Sequence, residues 1–411
     1  MALKGARDGH DFIPTALQKD CAGVIGQHVP ENWSKGFVEV PDTLEAFKAI
    51  AHWTRSRFNG PVIGITGSAG KTTTRALVAS VLESLGTVHQ TAGNFNNHIG
   101  LPKTITDAPE NSDAWVLEMG MSALGEIDLL QRIAEPTIRL ITNIGTAHIE
   151  GCGSIEGVAQ AKGELFAGAR PGDICCVNMD DHRVASLPIP TGATILRYGS
   201  TEDCDIRLLS FSIQGWNSVV DIQTPLGRIQ ASIPVPGEFM ALNACAAIAV
   251  GISVGLNLAQ CKEGLARYKP VGMRMRKERI GDVIFINDSY NANPLSMKAA
   301  LRSLLSLSER NSLAILGDML EMGVEEEASH IEILDFALNL GVNIALVGPR
   351  FRKAWEQSSS EAKHNVLLQA SSSEELAALL LAQKLQMNII LLKGSRGIKM
   401  ERIAEIYREQ Q

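Results

Sequence analysis

Apolar runs of about five residues recur along the chain, separated by stretches with helical spacing. Between Gly60 and about Lys269 these runs are Val62–Thr66, Ala114–Leu117, Ile138–Asn143 and Asp173–Asn178. Helices are expected near Arg75–Leu85, Glu126–Ile133 and Ile155–Ala167. Near-continuous apolar strands alternating with helices predict a parallel sheet covered on both faces. Residues 206–235 instead alternate polar and apolar positions around a Pro225-Leu226-Gly227 turn, which predicts antiparallel strands, and a helical stretch, Gly237–Gly255, follows. From 270 onward the α/β rhythm returns with strands Val283–Asn287, Leu313–Leu316, Ile344–Val347, Val366–Leu368 and Ile389–Leu392, each followed by a helix. That pattern predicts a second, doubly wound, Rossmann-like sheet. Ahead of Gly60 lie a helix near Ile13–Lys19, a strand Ala22–Ile25, and Val38–Pro41 leading to a helix from Thr43 to about Phe58, capped by Asp42 or Thr43. So short a piece holds little core of its own.

A chain of 411 residues exceeds one ordinary core. The changes of rhythm divide it into a small α/β domain over 1–58, a central domain over 59–269 and a C-terminal domain over 270–411. Apolar residues make up 45% and charged residues 20%, with no apolar run long enough to cross a bilayer, so a soluble globular protein without a membrane partner is expected. Met1–Gly5 lacks a basic region followed by an apolar core, which points to the cytoplasm. Seven cysteines form no C-x-x-C pair and read as reduced, buried thiols without disulfides or zinc. The net charge of −7 carries no basic block, which argues against nucleic acid. Small-molecule partners and a monomer are expected.

The candidate chemistry starts where Val62–Thr66 runs into Gly67-Ser68-Ala69-Gly70-Lys71-Thr72-Thr73-Thr74. A strand, a turn of small residues and a helix bring backbone N–H groups and a helix N-terminus onto one anion, for which phosphate is the natural ligand. Lys71 would reach the outer phosphates of a nucleotide, and the Thr72 hydroxyl would ligate the accompanying Mg²⁺. The spacing is G-x-x-G-K-T, because Ile65 stands where the usual loop has its first glycine. Three polar groups fall at neighbouring strand ends: Glu118 after Ala114–Leu117, His148 after Ile138–Ile144, and Lys162 on the next helix. Carboxylate, imidazole and hydroxyl are suitable ligands for one or two Mg²⁺ ions. Each also has a plainer reading, as a cap, a satisfied structural histidine and a solvated lysine. Asn94-Phe95-Asn96-Asn97 is an amide-rich loop that can bond a substrate or its own turns. Asp288, ahead of Tyr290-Asn291, follows the first strand of the last domain, where such sheets bind ligands and a carboxylate can take ribose hydroxyls. Arg274, at the crossing into that domain, can reach phosphate when the domains close.

With these residues assembled, the chain resembles the Mur ligase family over nearly its whole length. The carriers are Thr66–Thr74; Gly93–Asn97 with Ile99–Pro102; Glu118-Met119-Gly120; Asn143–His148; Ala161–Glu164; Gly272–Met275; Asp288–Pro294; Leu316–Met319; and Lys393–Gly397. The resemblance implies peptidoglycan synthesis, with its part in cell shape and division. ATP would phosphorylate a substrate carboxylate to an acyl phosphate, which an amine then attacks. Tyr290–Pro294 points to the family member that joins D-alanyl-D-alanine to UDP-muramoyl tripeptide. Implied roles are Lys71 on the outer phosphates, Thr72 and Glu118 on one Mg²⁺, His148 on a second, Lys162 as an N-carbamate, Asn243 on adenine and Asp288 on ribose. Gly67, Ser68, Ala69, Gly70 and Thr73 complete the ATP site with Arg274, while Asn94, Asn96, Asn97, Tyr290 and Asn291 fall to substrate. Two departures stand out. An Asp-Ser-Arg stretch is expected upstream of Ala2-Leu3-Lys4-Gly5, and Gly237–Met240 replaces the family's His-Asn ahead of Asn243. The competing readings are a paralogue joining another carboxylate and amine, and a nucleotide-binding switch that is not a ligase.

Overall fold

The computed structural model describes residues 1–411 except 5, 6, 32, 308–310, 384 and 411; Gly5 of the opening stretch thus lies outside the described residues. Three sheets organise the chain. The first pairs Gly23–Gly26 in parallel with Gly36–Glu39, and the following helix, Thr43–Ser56, begins at Asp42, whose carboxylate accepts the amides of Leu44 and Glu45. Among the described residues this unit buries by itself a small cluster of Ala2, Ile13 and Val24. Arg55 ties its helix to the centre by donating to the carbonyls of Ala134 and Glu135.

The central sheet has nine strands in the order Gly227–Ile233, Asn217–Thr224, Ile206–Gln214, Thr194–Gly199, Ile174–Asn178, Ile138–Ile141, Val62–Thr66, Ala114–Glu118, Val88–Gln90. The antiparallel segment is therefore continuous with the parallel one, joined where Tyr198 and Gly199 pair with Ile206 and Arg207. Two strands that the apolar-run pattern does not mark belong to this sheet. Val88–Gln90 is short and only half-buried, and Thr194–Gly199 begins exposed, so neither has the continuous apolar signature of a central strand. The helix after the phosphate loop spans Lys71–Leu82, starting four residues before the expected Arg75 and ending before Leu85. Its first turn is built from Lys, Thr, Thr and Thr, which hides the apolar period. From Thr72 to Leu82 every residue is buried, because Phe239–Ser253 and Leu258–Arg267 cover it.

The C-terminal sheet runs Arg276–Ile280, Val283–Asn287, Ile389–Lys393, Ser312–Gly317, Asn343–Val347, Val366–Ala370. Five strands are parallel, and Arg276–Ile280 is an antiparallel edge. Its charged Arg-Lys-Glu-Arg sequence suits an edge and conceals it from a search for apolar runs. No helix among the described residues is long and apolar enough to cross a membrane.

Candidate functional site

Val62–Thr66 lies between Ala114–Glu118 and Ile138–Ile141, all three parallel, with Ile65 opposite Glu118 and Thr66 opposite Ile141. The loop 67–70, Glu118 and the segment 142–148 therefore leave the sheet at one edge, where doubly wound sheets place their ligands. Gly67, at φ +152°, has no room for a side chain, since a Cβ there would lie 1.8 Å from Thr142 Oγ1. Gly70 adopts φ +80° as it caps the helix, a conformation that glycine reaches without steric cost. Thr74 N–H donates the first helical bond to Gly70 O. The amides of Gly70, Lys71, Thr72 and Thr73 thus precede the ladder and form an anion site. The amides of Ser68 and Ala69 are already used, donating to Asn143 O and Asn143 Oδ1. Lys71 Nζ donates to Gly67 O at 2.6 Å, so the lysine lies along the loop. Burial lowers its affinity for a proton; Glu118 opposes that effect and Arg274 adds to it.

Glu118 is held from several sides. Thr72 Oγ1 donates to Oε2 at 2.8 Å, Asn96 Nδ2 donates to Oε1 at 2.9 Å, and Arg75 Nε lies 3.5 Å from Oε2. Arg75, whose side chain is 3% exposed, also donates to Gln90 Oε1 and Thr91 O. An oxygen pair of hydroxyl and carboxylate fits a hard cation such as Mg²⁺. His148 takes a left-handed backbone, φ +67°. Burial, Lys71 and Lys162 in that order push its imidazole down to about 4, so it is neutral at pH 7. Lys162 is 1% exposed and makes no ion pair or hydrogen bond among the described residues. Burial first and the Lys71 ammonium second hold it well below the ordinary lysine range. No cluster of three His, Cys, Asp or Glu side chains suited to a metal occurs among the described residues. Lys162 as an ammonium does not fit a cation site, whereas a carbamate would supply the missing oxygen ligand.

Asn243 lies behind the loop, 8% exposed. Its Oδ1 accepts from Thr74 Oγ1 at 3.1 Å, and its Nδ2 is buried without a partner. A buried unpaired donor is costly unless a ligand completes it. Asn96 joins the site through Glu118, but Asn97 Oδ1 caps its own turn by accepting the amides of Ile99 and Gly100. Asn94 is exposed, and its carbonyl accepts the Asn96 amide at 2.8 Å.

The C-terminal sheet faces the loop. Asn293 Nδ2 donates to Ser68 O at 3.3 Å while its Oδ1 accepts Ser296 N–H, capping the helix Pro294–Leu307. Arg274 stacks on Tyr290 with 3.7 Å from guanidinium carbon to ring centre. Asp288 already has partners: Lys393 Nζ at 2.9 Å and the Met275 amide at 3.1 Å. Asn291 Oδ1 accepts the Ala292 amide, and Asn291 O accepts from Lys393. Arg75, Asn143 and Asn293 were not singled out as site residues from sequence. Arg75 sits one turn beyond Thr72 on the loop helix, the one signal that could have found it.

The phosphate loop meets the second doubly wound domain through Ser68 and Asn293, which sets a nucleotide-type anion site at the junction of two domains. Residues 65–251 match the Mur ligase middle domain and residues 273–396 the Mur ligase, glutamate ligase domain. The chain belongs to the Mur ligase family and is an ATP-dependent amide ligase. It is 36% identical to the UDP-N-acetylmuramoyl-tripeptide–D-alanyl-D-alanine ligase of Bacillus subtilis, the match covering 98% of this chain and 88% of that one. Among solved structures it resembles MurF from Acinetobacter baumannii, with TM-score 0.89 and 28% identity over 99% of this chain and 90% of that one. It also resembles MurF ligase from Thermotoga maritima in complex with ADP, with TM-score 0.88 and 26% identity over 100% and 93% of the two chains.

Proposed function

We propose that this chain joins D-alanyl-D-alanine to UDP-N-acetylmuramoyl tripeptide at the cost of ATP, in peptidoglycan precursor synthesis. The observation that carries the reading is the docking of the Asp288–Pro294 segment on the phosphate loop, through Asn293 and Ser68, in a chain alike over nearly its full length to ligases of that name. A nucleotide switch needs no such partner for its loop. The domain limits are placed at 58/59 and 269/270, and the enzyme is taken to be a cytoplasmic monomer that needs neither nucleic acid nor membrane.

The amides of Gly70 to Thr73 hold the phosphates of ATP, and Lys71, swinging from Gly67 O, follows the outer one. Asn243 Nδ2 donates to adenine. Asp288 takes ribose if Lys393 shares it, and Arg274, released from Tyr290, reaches the transferring phosphoryl group when the domains close. Thr72 with Glu118, and His148 with a carbamate on Lys162, are the residues that would hold Mg²⁺, which supplies charge neutralisation on the phosphates. Asn96 fixes the Glu118 carboxylate, and with Asn94, Asn97, Tyr290 and Asn291 it borders the space left to the two substrates. The tripeptide's terminal carboxylate attacks the γ-phosphoryl group and releases ADP. The dipeptide ammonium first gives up a proton to solvent; the free amine then attacks the acyl phosphate, and collapse of the tetrahedral intermediate, with loss of a second proton from nitrogen, releases phosphate and leaves the amide. Incubation with ATP, UDP-N-acetylmuramoyl tripeptide and D-alanyl-D-alanine should yield the pentapeptide with stoichiometric phosphate. Phosphate release that ignores either substrate would favour the switch.

A further inference from the structure

Two non-glycine residues with left-handed backbones meet across the cleft: His148, φ +67°, from the central domain and Glu321, φ +63°, from the C-terminal one. Glu321 Oε2 lies 3.9 Å from His148 Nδ1. Histidine is among the residues that enter that region more readily, but glutamate is not, and an observed outlier such as Glu321 is a pointer to function. The segment bearing Glu321 is fixed on every side but its own. Asp318, fully buried, accepts the amides of Arg350 and Phe351. Met319 N–H donates to His330 Nε2, and Leu320 N–H to Ser395 Oγ. The turn that follows touches the helix after His148, with Gly323 against Glu150. A rigid turn thus delivers one carboxylate, 69% exposed, to the mouth of the site. No lysine or arginine nitrogen lies within 4 Å of it among the described residues.

We propose that Glu321 receives the ammonium group of the incoming amine and so sets both its affinity and its orientation toward the activated carboxylate. The inference rests on the ligase reading above. An amine substrate arrives as a cation at neutral pH, and a carboxylate set 3.9 Å from His148, with no lysine or arginine beside it among the described residues, is the complementary charge it requires.

The test measures steady-state constants for all three substrates. In Glu321→Gln the KM for D-alanyl-D-alanine should rise at least about tenfold, with KM for ATP and for UDP-N-acetylmuramoyl tripeptide unchanged. Glu321→Gly should show the same selective rise with a melting temperature equal to or above wild type, because glycine relieves the left-handed backbone. An unchanged KM for the dipeptide would overturn the proposal. So would an equal loss for every substrate, or a raised Mg²⁺ requirement with the dipeptide KM intact, which would make Glu321 a metal-site residue. If the wild-type enzyme ligates no dipeptide at all, it is the ligase reading that fails.

Discussion

Thr72 and Glu118, forty-six positions apart, are joined by a hydrogen bond of 2.8 Å that ties the first turn of the phosphate-loop helix to the end of the neighbouring strand. The same carboxylate balances the buried guanidinium of Arg75. Glu118→Ala should therefore do two kinds of damage. Glu118 is the one carboxylate paired with Arg75 among the described residues, so its loss leaves that buried guanidinium without a counter-charge, a cost of about 3–5 kcal/mol in urea unfolding. Glu118→Gln keeps an acceptor for Thr72, so its stability loss should be smaller while ligation still falls by about 10–100-fold if Glu118 holds Mg²⁺ as proposed. Equal unfolding midpoints for the two variants would refute this division.

Asn243 separates structure from binding within one side chain. Its Oδ1 serves Thr74 and its Nδ2 is orphaned. Asn243→Asp keeps the acceptor and removes the donor, so ADP should stabilise the variant less in a thermal-shift titration, with KM for ATP raised about tenfold. Unliganded melting temperatures should stay within a few degrees. Undiminished ADP stabilisation would mean that the donor never meets the nucleotide.

The sequence carries the loop, the sheet rhythm and the strand-end residues because each rests on a local pattern: small residues before Lys71, apolar runs of strand length, and a polar residue where such a run stops. What it hides is pairing at a distance. Only its place one turn beyond Thr72 hints that Arg75 will lie beside Glu118, and nothing near Glu321 says that it will face His148. Asn97 and Asn96 are adjacent and alike in sequence, yet one caps its own turn and the other holds Glu118. Strands without an apolar run, such as Arg276–Ile280 and Val88–Gln90, escape for the same reason: their identity comes from a neighbour's edge.

The imidazole of His148 gives a pH signature. Its affinity for protons is pushed from 6.5 down to about 4 in the folded chain, so between those values the unfolded state binds more protons. Stability present above pH 6.5 is then lost as pH falls toward 4, by at most about 3 kcal/mol from this residue. His148→Asn removes the titration and suits the left-handed backbone better. The loss of urea midpoint between pH 7 and pH 4.5 should be smaller in that variant than in wild type. An identical loss would show that His148 is not desolvated.

Lys162 makes the sharpest prediction, because a nearly fully buried lysine without a partner is a liability unless its chemistry changes. Burial and the Lys71 ammonium lower its proton affinity in the folded chain, whereas an unfolded lysine titrates near about 10.4. In buffer stripped of CO₂, the unfolded state therefore binds one more proton throughout the window between the folded value and about 10.4. Stability should rise with pH across that window, at up to about 1.4 kcal/mol per unit. Lys162→Met should abolish the slope and be more stable than wild type at pH 7. The same neutral amine is the form that adds CO₂, and the resulting carbamate replaces a cation beside the phosphates by an anion that can help hold Mg²⁺. Ligation should then fall in CO₂-depleted buffer and return with bicarbonate. Lys162→Ala should lose ligation but keep ADP binding, which the loop amides provide, and Lys162→Glu should recover part of the rate. Arginine keeps a cation and does not form the carbamate; a fully active Lys162→Arg enzyme would therefore exclude the modification.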